Sequence, residues 1–132
     1  MIINDKTIYK IALITSIIGI SILIISSAWV EPKEMRIKEI TSNNINEKIT
    51  IHGVITEIDY SSSGKTCFLN LNDGTGKIRV IIFQSGLENF ETQGINISDF
   101  KNRNVKITGT VSEYNNKLEI TLDDSKLIKL EK

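Results

Sequence analysis

The sequence predicts an all-β domain, a small five-stranded Greek-key barrel, carried behind a single transmembrane α-helix. Three observations point there. Residues 11–30, IALITSIIGISILIISSAWV, contain no charged side chain, and about 20 such residues in a helix cross the hydrocarbon core of a bilayer. From Lys48 onward, short apolar alternations are broken repeatedly by Gly, Asn, Asp and Ser, the pattern of strands joined by tight turns. The strands fall as three, a longer connection, then two more, with a mid-strand glycine in the first and the fourth. A partly open Greek-key barrel needs that order.

The composition narrows the class. A chain of 132 residues holds one modest domain and one appendage. Its 16 Lys and Arg match 16 Asp and Glu, so no global positive field advertises a polyanionic partner. One cysteine and one histidine cannot make an internal disulfide or a zinc-type ligand set. No metal or cofactor is expected. Cys67 lies in an apolar run and reads as a buried, inert thiol.

Along the chain, residues 1–10 form a short tail with Lys6 and Lys10, and 11–30 form the span. Trp29 suits the interface, and Glu31-Pro32 closes the run, since proline disfavours helix at the residue before it. Ser26-Ser27-Ala28 also has the small residues of a signal-peptidase site, so a cleaved signal peptide competes with a retained anchor. The length of the run favours the anchor. Basic residues flank both ends, Lys6 and Lys10 before the span and Lys33, Arg36 and Lys38 after it, so the positive-inside count does not decide the orientation. The short amino-terminal tail suits an N-in signal anchor, which places the domain outside the cytoplasm. Residues 31–46 read as a polar tether whose stretch Glu34 to Ile40 extends the helix briefly, and 47–132 form the barrel.

Within the barrel, Ile49 and Ile51 alternate over Lys48 to Tyr60, and a phase change at Gly53 to Val54, Ile58 and Tyr60 predicts a bulge or sharp bend there. After the loop at 61–64, Lys65 to Asn72 puts Cys67, Leu69 and Leu71 on one face, Phe68 and Asn70 on the other. Asp73-Gly74-Thr75-Gly76 turns the chain into residues 77–84, with Ile78, Val80 and Ile82 inward and Arg79, Ile81 and Phe83 outward. Residues 85–102 suggest a short helix or irregular cap. Val105, Ile107 and Val111 mark a fourth strand over 103–114. Asn115-Asn116 then turns it into a fifth over 117–123, where Leu118, Ile120 and Leu122 share a face. Residues 126–130 add a short final strand or lie along the barrel.

Three segments carry a resemblance: ITIHGVITEI at 49–58, FLNLNDGTGKIRVIIF at 68–83 and VKITGTVSEY at 105–114. In these the chain resembles the OB-fold family, in particular its tRNA-anticodon-type, single-strand nucleic-acid-binding branch. The DGTG hairpin is a mark of the fold. It is not a phosphate loop, because a strand and not a helix follows it. The resemblance implies that the outward face of the second and third strands carries the contacts to single-stranded DNA or RNA: Phe68, Asn70, Arg79 and Phe83. Lys65, Lys77 and Lys117 would border the groove, with Tyr60 and Tyr114 near the strand ends. Such binding needs aromatic faces for bases and cations along the phosphate path.

Other readings stay open. Phe68 can simply cover the barrel, and Arg79 can pair with Glu119 or Asp123. A barrel behind one amino-terminal span also looks like the haem chaperones of cytochrome c maturation. Those carry a histidine near the carboxyl end, where this chain ends DDSKLIKLEK, and His52 lies in the first strand instead. A membrane-tethered module that binds a protein or another ligand is the alternative to nucleic acid. No nucleophile–base pair or framed carboxylate pair appears, so an enzyme is not expected.

Overall fold

The computed structural model describes residues 4–28 and 31–131; Trp29, the interfacial residue, lies outside them. The chain divides into two compact units, Met1–Glu31 and Pro32–Lys132.

The first unit is a single helix, α1 (Asp5–Ala28). It starts within the predicted tail, because the Asn4 carbonyl accepts from the N–H groups of Thr7 and Ile8 and Asp5 favours the positive end of the helix dipole. Its isoleucines and leucines are exposed. The hydroxyls of Thr15, Ser16 and Ser21 each donate to the carbonyl four residues back at 2.8 Å, so these three polar groups are satisfied within the helix. It is long and apolar enough to cross a membrane.

The second unit contains strands β1 (Lys33–Glu34), β2 (Lys48–Tyr60), β3 (Cys67–Asn72), β4 (Lys77–Ile82), β5 (Asn104–Tyr114), β6 (Lys117–Thr121) and β7 (Ile128–Leu130). Helix α2 (Gln84–Thr92) sits between β4 and β5, where a short helix or cap was expected. The sheet order is β1-β2-β3-β4-β6-β5-β7, with β2 also paired to β5. That second pairing curls the sheet into a partly closed barrel of the predicted five long strands. β1 and β7 are added at its edges. Ile49, Ile51, Leu69, Leu71, Val80, Ile82, Val105, Ile107, Val111 and Ile120 fill the interior, as the period-two alternation requires.

The turns follow their residues. Asn115 and Asn116 both take positive φ, at 51° and 61°, the geometry of a two-residue hairpin that asparagine tolerates. Gly74, at φ 85°, serves the β3–β4 turn.

Two expectations need correction, and a third needs refinement. The bulge in β2 lies between Ile55 and Glu57, not at Gly53. Ile49, Ile51 and Ile55 are buried in one phase, Val54 is half-buried, and the shift brings Ile58 onto the core only after the bulge. Gly53 meets a different demand: a Cβ there would lie 2.8 Å from the Asn72 carbonyl oxygen. Ile81 lies on the outward face as assigned and outside the core cluster, but it is covered there, at 8% exposed. Finally, 31–46 is not a free tether and does not prolong the helix. β1 pairs parallel with β2, Ile37–Glu39 makes a 3-10 turn, and Met35, Ile37 and Ile40 join the core cluster. These apolar residues have a face of the barrel to bury against, and burying each is favourable by about 1.5–3 kcal/mol.

Cys67 is fully buried. Burial pushes its thiol up to about 11 from an ordinary 9.0; a hydrogen bond with the Tyr60 hydroxyl opposes the rise and the Asp59 charge adds to it. The folded state therefore holds the proton while the unfolded state releases it, so this contribution to stability is complete below pH 9.0 and lost as pH rises toward about 11. Native protein at neutral pH is expected to resist iodoacetamide at Cys67 until it is unfolded in urea, with peptide mass spectrometry as the readout. Rapid native alkylation would contradict the buried thiol.

Candidate functional site

The feature that gathers most predicted residues is a groove of about 660 Å³ on the outer face of the barrel. Strand register builds it. Glu57 of β2 pairs with Asn70 of β3, Asn70 with Arg79 of β4, and Arg79 with Glu119 of β6. Four strands thus place a carboxylate, an amide, a guanidinium and a second carboxylate in one row. All four line the groove, with Lys77 and Lys117 beside them. Ile37 and Ile40, from the segment docked ahead of β2, form part of its wall, and Asn116 of the β5–β6 turn borders it.

The row is internally tied. Asn70 Nδ2 donates to Glu57 Oε2 at 3.0 Å. Arg79 lies 3.8 Å from Glu119 Oε1, and its guanidinium sits 5.1 Å from the centroid of the Phe68 ring. This cation–π contact leaves Arg79 about half exposed, while Glu119 is 5% exposed. Glu119 Oε2 is buried and has no hydrogen-bond partner among the described residues. A parallel β4–β6 pairing explains the burial: closing the barrel there seals Glu119 beneath Arg79. The expected Arg79–Glu119 pair is thus present.

Of the predicted site residues, Asn70, Lys77, Arg79 and Lys117 come together in the groove, and Phe68 adjoins them through Arg79. The other four do not line it. Tyr60 borders a separate hollow with Leu87, Phe90 and Ile95. Phe83 precedes α2, where its carbonyl accepts the Leu87 N–H at 2.9 Å. Lys65 lies exposed in the β2–β3 loop, and Tyr114, 64% exposed, ends β5. Sequence reasoning missed Glu57, Asn116, Ile37 and Ile40 as groove residues. Glu57 had a usable signal in its antiparallel register with Asn70; Ile37 and Ile40 had none beyond their apolar side chains among charges. Among the described residues, no group of His, Cys, Asp and Glu side chains is placed to hold a metal ion.

Residues 49–128 match the family model for the OB-fold nucleic acid binding domain. No curated protein is similar enough in sequence to match the chain. Among solved structures, it is similar to an aspartyl-tRNA synthetase from Entamoeba histolytica, at 17% identity and a TM-score of 0.60, over 79% of this chain and 22% of that one. It is also similar to the S. pombe Stn1-Ten1 complex, at 20% identity and a TM-score of 0.51, over 64% of this chain and 57% of that one. A third is OBody AM1L10 bound to hen egg-white lysozyme, at 18% identity and a TM-score of 0.55, over 77% and 97% of the two chains. These likenesses establish the fold. The chain spans about a fifth of the synthetase and little more than half of the Stn1-Ten1 chain.

Proposed function

The chain belongs to the OB-fold nucleic acid binding domain family, and from that premise we propose that it is a membrane-held, non-catalytic module whose groove takes single-stranded nucleic acid. The observation that carries the reading is the convergence of Lys77, Arg79 and Lys117 with Asn70 in one groove beside the half-buried Phe68. Cations follow the phosphates, Asn70 and Glu57 offer hydrogen bonds to base edges, and the Phe68–Arg79 stack is a platform for a base. One face of the ring is already occupied, so a base stacks on the guanidinium plane or displaces it. The apolar α1 holds the domain at a membrane.

The test is a titration of residues 32–132 with labelled single-stranded DNA and RNA. The fragment begins at Pro32 because Met35, Ile37 and Ile40 belong to the core. With three groove cations engaged, affinity is expected to fall by roughly 20-fold between about 50 and 200 mM salt. Phe68→Ala with Arg79→Ala is expected to weaken binding at least about tenfold. No binding even at low salt would sink the proposal.

One observation favours a second reading. Glu57 and Glu119 set two carboxylates among three cations in the groove, a mixed lining with only one excess positive charge that suits a protein or small polar ligand as well as a polyanion. An N-in anchor, with the domain outside the cytoplasm, favours the same reading. Salt-insensitive capture of a protein partner by crosslinking in intact cells, without nucleic-acid binding, would establish it.

A further inference from the structure

A second surface has no part in the groove. Lys48 at the start of β2, Lys106 of β5, Lys126 of the 3-10 turn before β7, and Lys129 of β7 line a hollow of about 300 Å³ together with Pro32. Among the described residues none of these four lysines is in an ion pair. Lys106 and Lys129 face each other directly across the β5–β7 pairing, and like charges so placed oppose the pairing. The two carboxylates on neighbouring positions contact a histidine and neither lysine. Glu34 and Glu131 both turn to His52, at Nε2 and Nδ1 respectively, and His52 is itself the register partner of Lys106.

The hollow therefore gathers four lysines without an ion-pair partner among the described residues, and its place in the chain points to the anion. Pro32 is four positions past Ala28, the last residue of α1. Where that helix enters a bilayer, Pro32 lies in the segment that first leaves it, and the four lysines line the same hollow as Pro32. We propose that this hollow is a site for the phosphate headgroups of anionic lipids, which seats the barrel on the membrane surface. The inference rests on the reading of α1 as a membrane anchor. Basic residues beside a span are attracted to acidic lipids over about a Debye length. The like-charged Lys106–Lys129 pair is the natural place for a headgroup phosphate, which would relieve their repulsion.

The full chain, reconstituted in vesicles of phosphatidylcholine alone or with about 30% phosphatidylglycerol, tests this by amine acylation followed by peptide mass spectrometry. Acylation of Lys48, Lys106, Lys126 and Lys129, normalised to Lys65 in the same molecules, is expected to slow about fivefold or more in the acidic vesicles and to recover in high salt. Equal rates in both vesicles, for chain that resists carbonate extraction, overturn the headgroup site and leave the anchor standing. Release of the chain by carbonate overturns the anchor, and the site with it. Protection in neutral vesicles by inorganic phosphate or a single-stranded oligonucleotide, with none from the acidic lipid, assigns the hollow to soluble phosphates and overturns the proposal.

Discussion

Gly109→Ala is expected to lower the melting temperature of the barrel by roughly 10–20 °C, the result of about 3 kcal/mol lost to overpacking. A Cβ at this position would stand 2.4 Å from the Ile120 Cγ2 and 2.6 Å from the Thr121 carbonyl oxygen. The methyl of Ile120 can move by a rotamer change, but the carbonyl belongs to β6 and moves only with the strand. Gly109 pairs with Ile49 of β2 on one side. On the other, β5 passes from β7, paired through Ile107, to β6, paired from Thr110. Any shift there is felt on both sides of β5. Gly53→Ala is a useful control: its nearest conflict, 2.8 Å to the Asn72 carbonyl oxygen, is milder, and a smaller loss is expected. Calorimetry of the two variants decides the matter. A Gly109→Ala protein that melts within two or three degrees of the parent would show that β6 yields easily.

Asp73→Ala comes next in size, at about 2–3 kcal/mol, because one carboxylate holds two elements together. Its Oδ1 accepts from the N–H groups of Thr75 and Gly76 and from the Thr75 hydroxyl, which fixes the β3–β4 turn. Its Oδ2 accepts the Ile37 N–H at 2.8 Å, which docks the segment ahead of β2. Burial alone would raise the pKa of this group, but these donors outweigh it and hold the carboxyl below its ordinary 3.8. The native state therefore favours the carboxylate, and the unfolded state takes up a proton first as pH falls. The stabilisation is complete above about pH 4 and fades as pH drops through the lower native value. The variant should lack that acid-sensitive component. It should also release the docked segment, so that trypsin cuts faster after Lys33, Arg36 or Lys38. Unchanged proteolysis together with an unchanged melting curve would refute the double role.

The barrel was legible because its signals are local and repeated. Alternation in Cys67 to Asn72 and Asn104 to Tyr114, the DGTG turn and the Asn115-Asn116 turn each act within a few residues. They agree with one another, and agreement between levels makes a fold readable. What failed depends on distant partners. Nothing near Gly53 distinguishes a bulge from a close approach; the Asn72 carbonyl decides it. Met35, Ile37 and Ile40 read as a tether because their burial surface is the core of a barrel formed much later in the chain. The make-up of the candidate groove was half legible for the same reason. Asn70, Lys77 and Arg79 follow from one hairpin, whereas Glu119 enters only through a parallel pairing, and Tyr60, Phe83, Lys65 and Tyr114, placed about that face by the family resemblance, sit at loops and strand ends that do not line the groove.

β1 and β7 are only two and three residues long, yet each occupies the outer side of a long strand, β1 beside Ile49 and Thr50 and β7 beside Val105 to Ile107. Long unprotected edges invite other chains to join as extra strands. Here the segments entering and leaving the barrel blunt both edges, so among the described residues recognition by strand addition has little backbone to use. If the proposed groove binds a partner, it reads that partner by side chains, and selectivity should then evolve at individual groove positions without disturbing the hydrogen-bonded frame beneath them.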